Sequence, residues 1–184
     1  MNFKTHSTLK NTHSFLSASK SHWVNYDEEK LIKSYNNYTA AAMGTRWHEF
    51  AEECIKLKVK LPKSKKTLNT YVNDAIGYKM IPEQILYYSD NCFGTADAII
   101  FKNKLLRIHD LKTGSSRVSF KQLEVYTAIF CLEYNKKPTN INVELRVYQN
   151  DEVMIHTPSP EDIIYIMDKI ITFDKLVEKI KSGA

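Results

Sequence analysis

Cysteine and long apolar stretches are scarce in this sequence of 184 residues. The three cysteines, Cys54, Cys92 and Cys131, lie far apart, and no pair has the spacing of a zinc site or an iron–sulfur cluster. We therefore expect reduced thiols, as in cytoplasmic proteins. No apolar run approaches the roughly 18 residues that cross a bilayer, and the first residues contain no apolar signal segment, so neither a membrane anchor nor secretion is predicted.

Arginine is also scarce, with four in the chain, although the net charge is positive at +5 and the pI is about 8.9. A positive charge favours an anionic partner such as nucleic acid. The abundance of Lys, Asn, Ile and Tyr is equally what an AT-rich coding sequence would produce, so charge alone leaves both explanations open. The chain has no Gly-x-x-x-x-Gly-Lys-Ser/Thr loop, the motif with which many ATPases bind phosphate. Any helicase function, which needs an ATPase, would therefore need a partner chain.

The first part of the chain is predicted to be helical. Ser17 and Ser19 are candidate caps for a helix that runs through Trp23 and Ile32. A second helix is predicted from about Thr39, because apolar side chains recur every three or four residues along it. The expected buried stripe of this helix comprises Met43, Trp47, Phe50, Cys54 and Leu57.

Short β-favouring segments separated by turn formers occupy the second half. They are Gln84–Tyr88, Thr95–Phe101, Leu105–Leu111, Ile141–Tyr148 and Val153–His156. A helix is predicted from Phe120 to Tyr134, and a closing helix begins at Pro160. This order predicts an α/β fold with a single mixed central sheet flanked by helices, αβββαβ. Residues 17–184 are expected to form one domain, and residues 1–16 a flexible N-terminal arm.

A predicted hairpin carries two acidic residues on apolar strands. If Asn103 and Lys104 form the turn, Asp97 lies directly opposite Asp110, with Cβ atoms about 4.5–5.5 Å apart. Like charges repel and burial disfavours ionisation, so either one carboxyl is protonated or a cation lies between them. Converging carboxylate oxygens suit Mg²⁺ or Mn²⁺. Strand alternation puts Lys112 on the face of Asp110, where an ammonium group can orient water and offset phosphate charge.

The hairpin also has a plainer interpretation, a Lys–Asp pair on a solvated strand face with Asp97 at the edge of its strand. Single acidic residues within strands often have that role. By the same alternation, His109 points to the opposite face of the sheet from Asp110, so we do not include it in the predicted site.

Five sequence elements, in this order and spacing, resemble those of the RecB-like branch of the PD-(D/E)XK nucleases. They are Gly44-Thr45-Arg46-Trp47-His48, Glu83 beside Pro82, Gly94-Thr95-Ala96-Asp97, Asp110-Leu111-Lys112-Thr113-Gly114 and Gln122-Leu123-Glu124-Val125-Tyr126. The resemblance covers about residues 40–150 and implies a restriction-endonuclease-like core. Relatives with an iron–sulfur cluster carry four cysteines, and three unmatched cysteines argue against that cluster here.

The resemblance also implies a role for each residue. The groups implied to hold Mg²⁺ or Mn²⁺ are His48, Asp97, Asp110 and the backbone carbonyl of Leu111. Lys112 would position the attacking water, and Glu83 would complete the catalytic set with the two aspartates. Gln122 and Tyr126 lie four residues apart on one helix face and would line a groove beside the DNA backbone. The plainer roles are a surface histidine, a strand-junction glutamate, a helix-face amide and a core tyrosine.

The implied activity is metal-dependent hydrolysis of DNA phosphodiester bonds by in-line attack. An exonuclease of DNA recombination, repair or phage DNA processing is the expectation, because a short stand-alone chain resembles phage-encoded recombination exonucleases. The expected location is the cytoplasm of a bacterial or phage-infected cell. Expected partners are DNA, a single-strand annealing or recombination protein and further copies of the chain, but no membrane. The alternatives are an endonuclease for structured junctions or RNA, and a catalytically silent nucleic-acid-binding or protein-interaction module on the same fold.

Overall fold

The computed structural model describes residues 7–9, 14–114 and 117–183. In these ranges the helices and strands are α1 (Glu28–Leu57), α2 (Thr67–Tyr78), β1 (Ile81–Ser89), β2 (Cys92–Lys102), β3 (Leu105–Leu111), α3 (Lys121–Glu133), β4 (Asn142–Gln149), β5 (Glu152–His156) and α4 (Pro160–Lys181). Short 3₁₀ segments occur at Ser7–Leu9, Ala18–Asn25 and Pro138–Asn140. Of the predicted N-terminal arm, residues 1–6 and 10–13 lie outside the described residues.

The strands form one five-stranded sheet in the order β1-β2-β3-β4-β5. All neighbours are antiparallel except β3 and β4, which run parallel with Leu105 opposite Asn142. The helix α3 connects these two parallel strands, as a crossover of this kind requires. The predicted mixed α/β architecture with a single sheet flanked by helices is therefore confirmed.

Two apolar layers cover the two faces of the sheet. The first joins β2, β3 and β4 to α3 and α4, and its buried side chains include Ile108, Leu123, Ile129, Leu145 and Ile163. The second joins the sheet to α1 and α2, and its buried side chains include Ala51, Ile55, Val72, Ala75 and Leu111. Each fully buried large apolar side chain contributes about 1.5–3 kcal/mol. These layers fix the strands that carry the acidic residues.

The predicted β2–β3 turn and the β4–β5 turn each contain two successive residues with positive φ. Asn103 and Lys104 between β2 and β3 have φ of 52° and 60°, and Asn150 and Asp151 between β4 and β5 have φ of 52° and 62°. Two successive left-handed residues are the signature of a tight type I′ hairpin. At the start of α4, the Ser159 side chain accepts a hydrogen bond from the backbone N–H of Asp162, and Pro160 occupies the first turn as predicted.

The prediction for the N-terminal helices was wrong in two respects. Residues Ala18–Asn25 form a 3₁₀ segment, and a single helix of 30 residues begins at Glu28 instead of near Thr39. The expected apolar stripe is largely exposed, with Trp47, Phe50 and Leu57 at 38%, 47% and 66% exposure. Of that stripe, Cys54 is buried as predicted, and the rest of the buried face of α1 carries small or medium side chains, Gly44, Ala51 and Ile55, which let the helix approach its neighbours closely.

The chain divides into two compact units, Met1–Met43 and Gly44–Ala184, and the boundary falls inside α1. Every residue of the predicted site belongs to the second unit. The predicted division into an arm and one domain from residue 17 stays a prediction. In the described part of the chain, no helix has the length and apolar character needed to cross a membrane.

Candidate functional site

The β2–β3 hairpin brings the two predicted aspartates together. The paired residues run from Lys102 opposite Leu105 to Ala98 opposite His109, which is the predicted register. One step further, the side chain of Asp97 reaches across to β3, where its Oδ2 accepts a hydrogen bond from the backbone N–H of Leu111 at 2.8 Å. Asp110 is 3% exposed. Both carboxyl groups therefore lie at the C-terminal end of β3, largely out of water.

The helix α1 adds His48 to this pair. Its Nδ1 lies 3.4 Å from Oδ2 of Asp97. One turn earlier, a Cβ atom on Gly44 would lie 2.7 Å from Oγ1 of Thr113, so only glycine allows this approach of the helix without displacement. The Gly-x-x-x-His and Asp-x-Lys-Thr-Gly segments, about 60 residues apart in sequence, are thus in contact.

Glu83 interrupts the pairing of β1 with β2. The pairs Pro82–Ala98 and Gln84–Ala96 flank it, and its own φ is 48°, a left-handed conformation that is rare for any residue but glycine. One ligand atom from each of His48, Glu83 and Asp97 lies within 4.8 Å of the other two, and among the described residues no other His, Cys, Asp or Glu triplet has this arrangement. The structure therefore brings Glu83, a predicted catalytic residue, next to His48 and Asp97.

Asp110 is not a member of that triplet. Its Oδ1 accepts a hydrogen bond from Nζ of Lys112 at 3.0 Å. Its Oδ2 is buried and has no hydrogen-bond partner among the described residues. Leu111 pairs with Tyr148 on β4 and gives its N–H to Asp97. We call Glu83, Asp97 and Asp110 the acidic cluster.

A chain of hydrogen bonds leads from the acidic cluster to α3. Nζ of Lys112 also donates to Oε1 of Gln122 at 3.1 Å, and Nε2 of Gln122 donates to the Tyr126 hydroxyl at 3.0 Å. The Tyr126 ring lies against Gly94, where a Cβ atom would approach Cε1 to 2.8 Å. A pocket of about 160 Å³ opens beside these hydrogen bonds and is lined by Lys112, Gln122 and Arg117 among others. The predicted DNA-contacting pair thus lies next to the predicted catalytic lysine.

Burial makes the ionised forms of the cluster costly. It raises the pKa of Asp97 to about 7, with a further contribution from Asp110, while the Leu111 N–H and Lys112 act in the opposite direction. Burial also raises the pKa of Asp110, although Lys112 and His48 lower it. The pKa of Glu83 is raised by burial and by Asp97. Without an added positive charge, Asp97 is therefore about half protonated near pH 7.

Two neighbours of the acidic cluster were not predicted from the sequence. Tyr71 on α2 is 2% exposed, and its pKa is raised well above its usual value by burial and then by Asp97 and Glu83. Glu52 contributes to the raised pKa of Glu83 and pairs with Lys56. Tyr71 is part of no motif, so nothing in the sequence distinguished it from core. Glu52 could have been found, because it lies four residues after the predicted ligand on the same helix.

His109 points away from Asp110, towards Tyr148 and Tyr78, as strand alternation predicted. It is fully buried, its Nδ1 lies 3.1 Å from the Tyr148 hydroxyl, and that hydroxyl donates to Oδ2 of Asp74 at 2.8 Å. Burial lowers the pKa of His109 to about 3, and Arg146 and Arg107 act in the same direction. This neutral histidine belongs to a structural network between β3, β4 and α2.

The fold and the site together define a mixed α/β protein with a partly buried acidic cluster on three strands. Residues 81–156, from the start of β1 to the end of β5, match the family described as "Protein of unknown function (DUF2800)". The matched stretch contains the acidic cluster, Lys112, Gln122 and Tyr126, whereas His48 lies before it. No curated protein and no solved structure matches the chain.

Proposed function

We propose that this chain is a Mg²⁺- or Mn²⁺-dependent DNA nuclease of the PD-(D/E)XK type, acting as an exonuclease. The observation that carries the proposal is the buried Oδ2 of Asp110, which has no hydrogen-bond partner among the described residues and lies beside further acidic groups. A buried carboxylate oxygen without a partner is destabilising unless a proton or a cation satisfies it. A divalent cation would satisfy it and lower the repulsion between the carboxylates.

The donor set fits such a cation. Carboxylate oxygens are the ligands that Mg²⁺ and Mn²⁺ prefer, and an imidazole nitrogen is compatible with Mn²⁺. The groups that would hold the ion are drawn from His48, Glu83, Asp97 and Asp110, with the carbonyl of Leu111 as the further ligand implied by the resemblance. Bound there, the ion would polarise a phosphodiester and stabilise charge on the attacking and leaving oxygens.

Lys112 has the position of a group that handles the attacking water. Its ammonium already contacts Asp110 and Gln122, which hold it at the edge of the cluster. A water that hydrogen-bonds to this ammonium is oriented for attack, and the positive charge offsets charge that develops on the phosphate. Gln122 and Tyr126 then supply polar groups for the sugar–phosphate backbone beside the reacting bond.

The test is a cleavage assay on labelled linear, circular and branched DNA, single-stranded and double-stranded, and on RNA, with Mg²⁺, Mn²⁺ or EDTA. We expect cleavage of linear DNA from its ends with either metal and none with EDTA. Asp110→Asn and Lys112→Gln should each lower the rate by at least about a hundredfold, as loss of one charge-stabilising group does in other enzymes. DNA binding in EDTA should persist in both variants.

Asp168→Asn and Lys175→Gln are the matched controls, since both positions are exposed on α4 and lie outside the proposed site. If neither metal supports cleavage of any DNA or RNA, the chain is not a nuclease, and DNA binding alone would indicate a silent module. If circular or branched substrates are cut as readily as linear DNA, it is an endonuclease. If activity survives both site variants, the site is assigned wrongly.

A further inference from the structure

A second concave site lies where β3 and β4 begin. It is a pocket of about 800 Å³ lined by the β2–β3 turn and by the connection from α3 to β4. Its lining residues are Phe101, Lys104, Asn135, Lys136, Lys137, Thr139, Asn140, Ile141 and Asn142. We call it the lysine pocket.

The charge of the lysine pocket is not compensated locally. None of its lining residues is acidic, and the segments 98–109 and 134–143 contain no Asp or Glu. Within the described residues, Lys104, Lys136 and Lys137 form no ion pair, and neither does the neighbouring Lys102. Four positive charges are thus concentrated here in a chain whose net charge is +5.

Some lysines elsewhere in the chain have acidic partners, since Lys66 pairs with Asp151 and Lys181 pairs with Glu178. Others, such as Lys175 and Lys179, form no ion pair within the described residues but lie next to Asp174 and Glu178 in α4. An unmixed group around a concavity instead raises the local concentration of anions.

The chemistry of the lining indicates which anion fits. Lysine offers a point charge, and the pocket contains no arginine, whose planar fork would impose a fixed two-point geometry. Asn135, Asn140 and Thr139 add neutral donors. Point charges with amide and hydroxyl groups are the contacts that a nucleic-acid backbone receives irrespective of sequence.

We propose that the lysine pocket binds backbone phosphates of the DNA whose cleavage is proposed above, and this inference rests on that function. The two sites adjoin opposite ends of β3, which begins at Leu105 beside the pocket and reaches Asp110 five residues later. At about 3.3 Å per residue the separation is roughly 17 Å. A DNA strand advances about 3.4 Å per nucleotide, so the bound phosphates lie about five nucleotides from the reacting bond.

The experiment compares Lys136→Gln/Lys137→Gln with the control Lys175→Gln/Lys179→Gln. Both pairs are exposed and both variants lose two positive charges, so a non-local charge effect would be the same. Binding of a labelled 20-base-pair duplex is measured by fluorescence anisotropy in EDTA over a range of salt concentrations. Melting curves by circular dichroism confirm that the variants fold alike.

We expect the pocket variant to bind the duplex roughly 5- to 50-fold more weakly at 0.1 M salt, with the salt slope reduced by about 0.9 for each phosphate that is no longer neutralised. The control variant should differ little from the unmodified protein. Equal affinities and slopes for the two variants would overturn the inference. A second result would also overturn it. If the unmodified protein binds inorganic tripolyphosphate and the pocket variant does not, while both bind the duplex with equal affinity, the ligand of the pocket is a free polyphosphate.

The cleavage assay separates this inference from the proposed function. If the pocket variant loses affinity and no metal supports cleavage, DNA binding by the lysine pocket is supported and the proposed nuclease function is wrong. If the protein cleaves DNA and the pocket variant binds the duplex with unchanged affinity, the nuclease function is supported and DNA binding by the lysine pocket is wrong.

Discussion

Gly44 shows how a single residue controls the approach of α1 to the acidic cluster. It is buried, and an added Cβ would meet Oγ1 of Thr113 at 2.7 Å. Thr113 follows Lys112 directly, so any displacement of the threonine moves the lysine that contacts Asp110. The glycine of the Gly-x-x-x-His segment thus has a packing reason, independent of backbone conformation.

We predict that Gly44→Ala destabilises the protein and lowers activity, whereas Gly44→Ala with Thr113→Ala is tolerated. In a helix, alanine is favoured over glycine by about 0.8–1.0 kcal/mol. Overpacking costs about 1–3 kcal/mol and should exceed that gain in the single variant. Once Thr113→Ala removes the opposing hydroxyl, the helix preference should return. Urea unfolding of the four members of this double-mutant cycle measures the coupling, and additive effects would contradict it.

At the scale of the element, β1 contains an irregular residue within its pairing with β2. Glu83 has φ of 48° between two regularly paired residues. A left-handed conformation costs an L-residue about 1–2 kcal/mol, and such strain is concentrated at functional sites. The conformation accompanies the close grouping of Glu83 with His48 and Asp97.

We predict that Glu83→Gly unfolds at higher denaturant concentration than Glu83→Ala, although both lose DNA cleavage. Glycine relieves about 1–2 kcal/mol of strain but costs about 0.5–1 kcal/mol in a strand, which leaves a difference of roughly 0.5–1 kcal/mol. Guanidinium unfolding in EDTA measures it, with Gln84→Gly against Gln84→Ala as the control at a neighbouring β1 position. Equal stability of the two Glu83 variants would mean that the strain is not present in solution.

Elements set by local sequence were predictable, and those set by packing were not. The β2–β3 register followed from the turn residues Asn103 and Lys104, which accept positive φ, and Pro160 marked the start of α4. Grouping of Asp97 with Asp110 came with that register. By contrast, the buried face of α1 was mispredicted because the large apolar side chains Trp47 and Phe50 are exposed, while the face with Gly44 packs inward.

The position of Tyr71 and the conformation of Glu83 could not be predicted from the sequence, because packing also sets these two features. Tyr71 approaches the acidic cluster only because α2 packs on the sheet, and no local pattern encodes that position. The left-handed Glu83 follows from its place between β2 and α1 and not from a turn motif. Candidate site residues on one hairpin are therefore easier to predict than those contributed by packed helices.

For the whole molecule, two buried groups, Asp97 and His109, respond to pH in opposite directions. The folded state raises the pKa of Asp97 to about 7, so it retains a proton that the unfolded chain has lost, and stability falls as pH rises from about 4 to 7. The folded state lowers the pKa of His109 to about 3, so the unfolded chain binds the extra proton, and stability falls as pH drops below about 6.5. In the metal-free protein these two slopes oppose each other between about pH 4 and 6.5.

We predict that Asp97→Asn exposes the slope due to His109. An amide does not titrate, so the free energy of unfolding of the variant should rise relative to that of the unmodified protein by up to about 1.4 kcal/mol per pH unit between about pH 4 and 6.5. Urea unfolding in EDTA at several pH values measures this difference, and Asp168→Asn, exposed on α4, should keep the original profile. A parallel profile for Asp97→Asn would show that Asp97 titrates normally in the folded protein. The ionised form of Asp97 would then carry no penalty from burial and from Asp110 for a bound divalent cation to relieve.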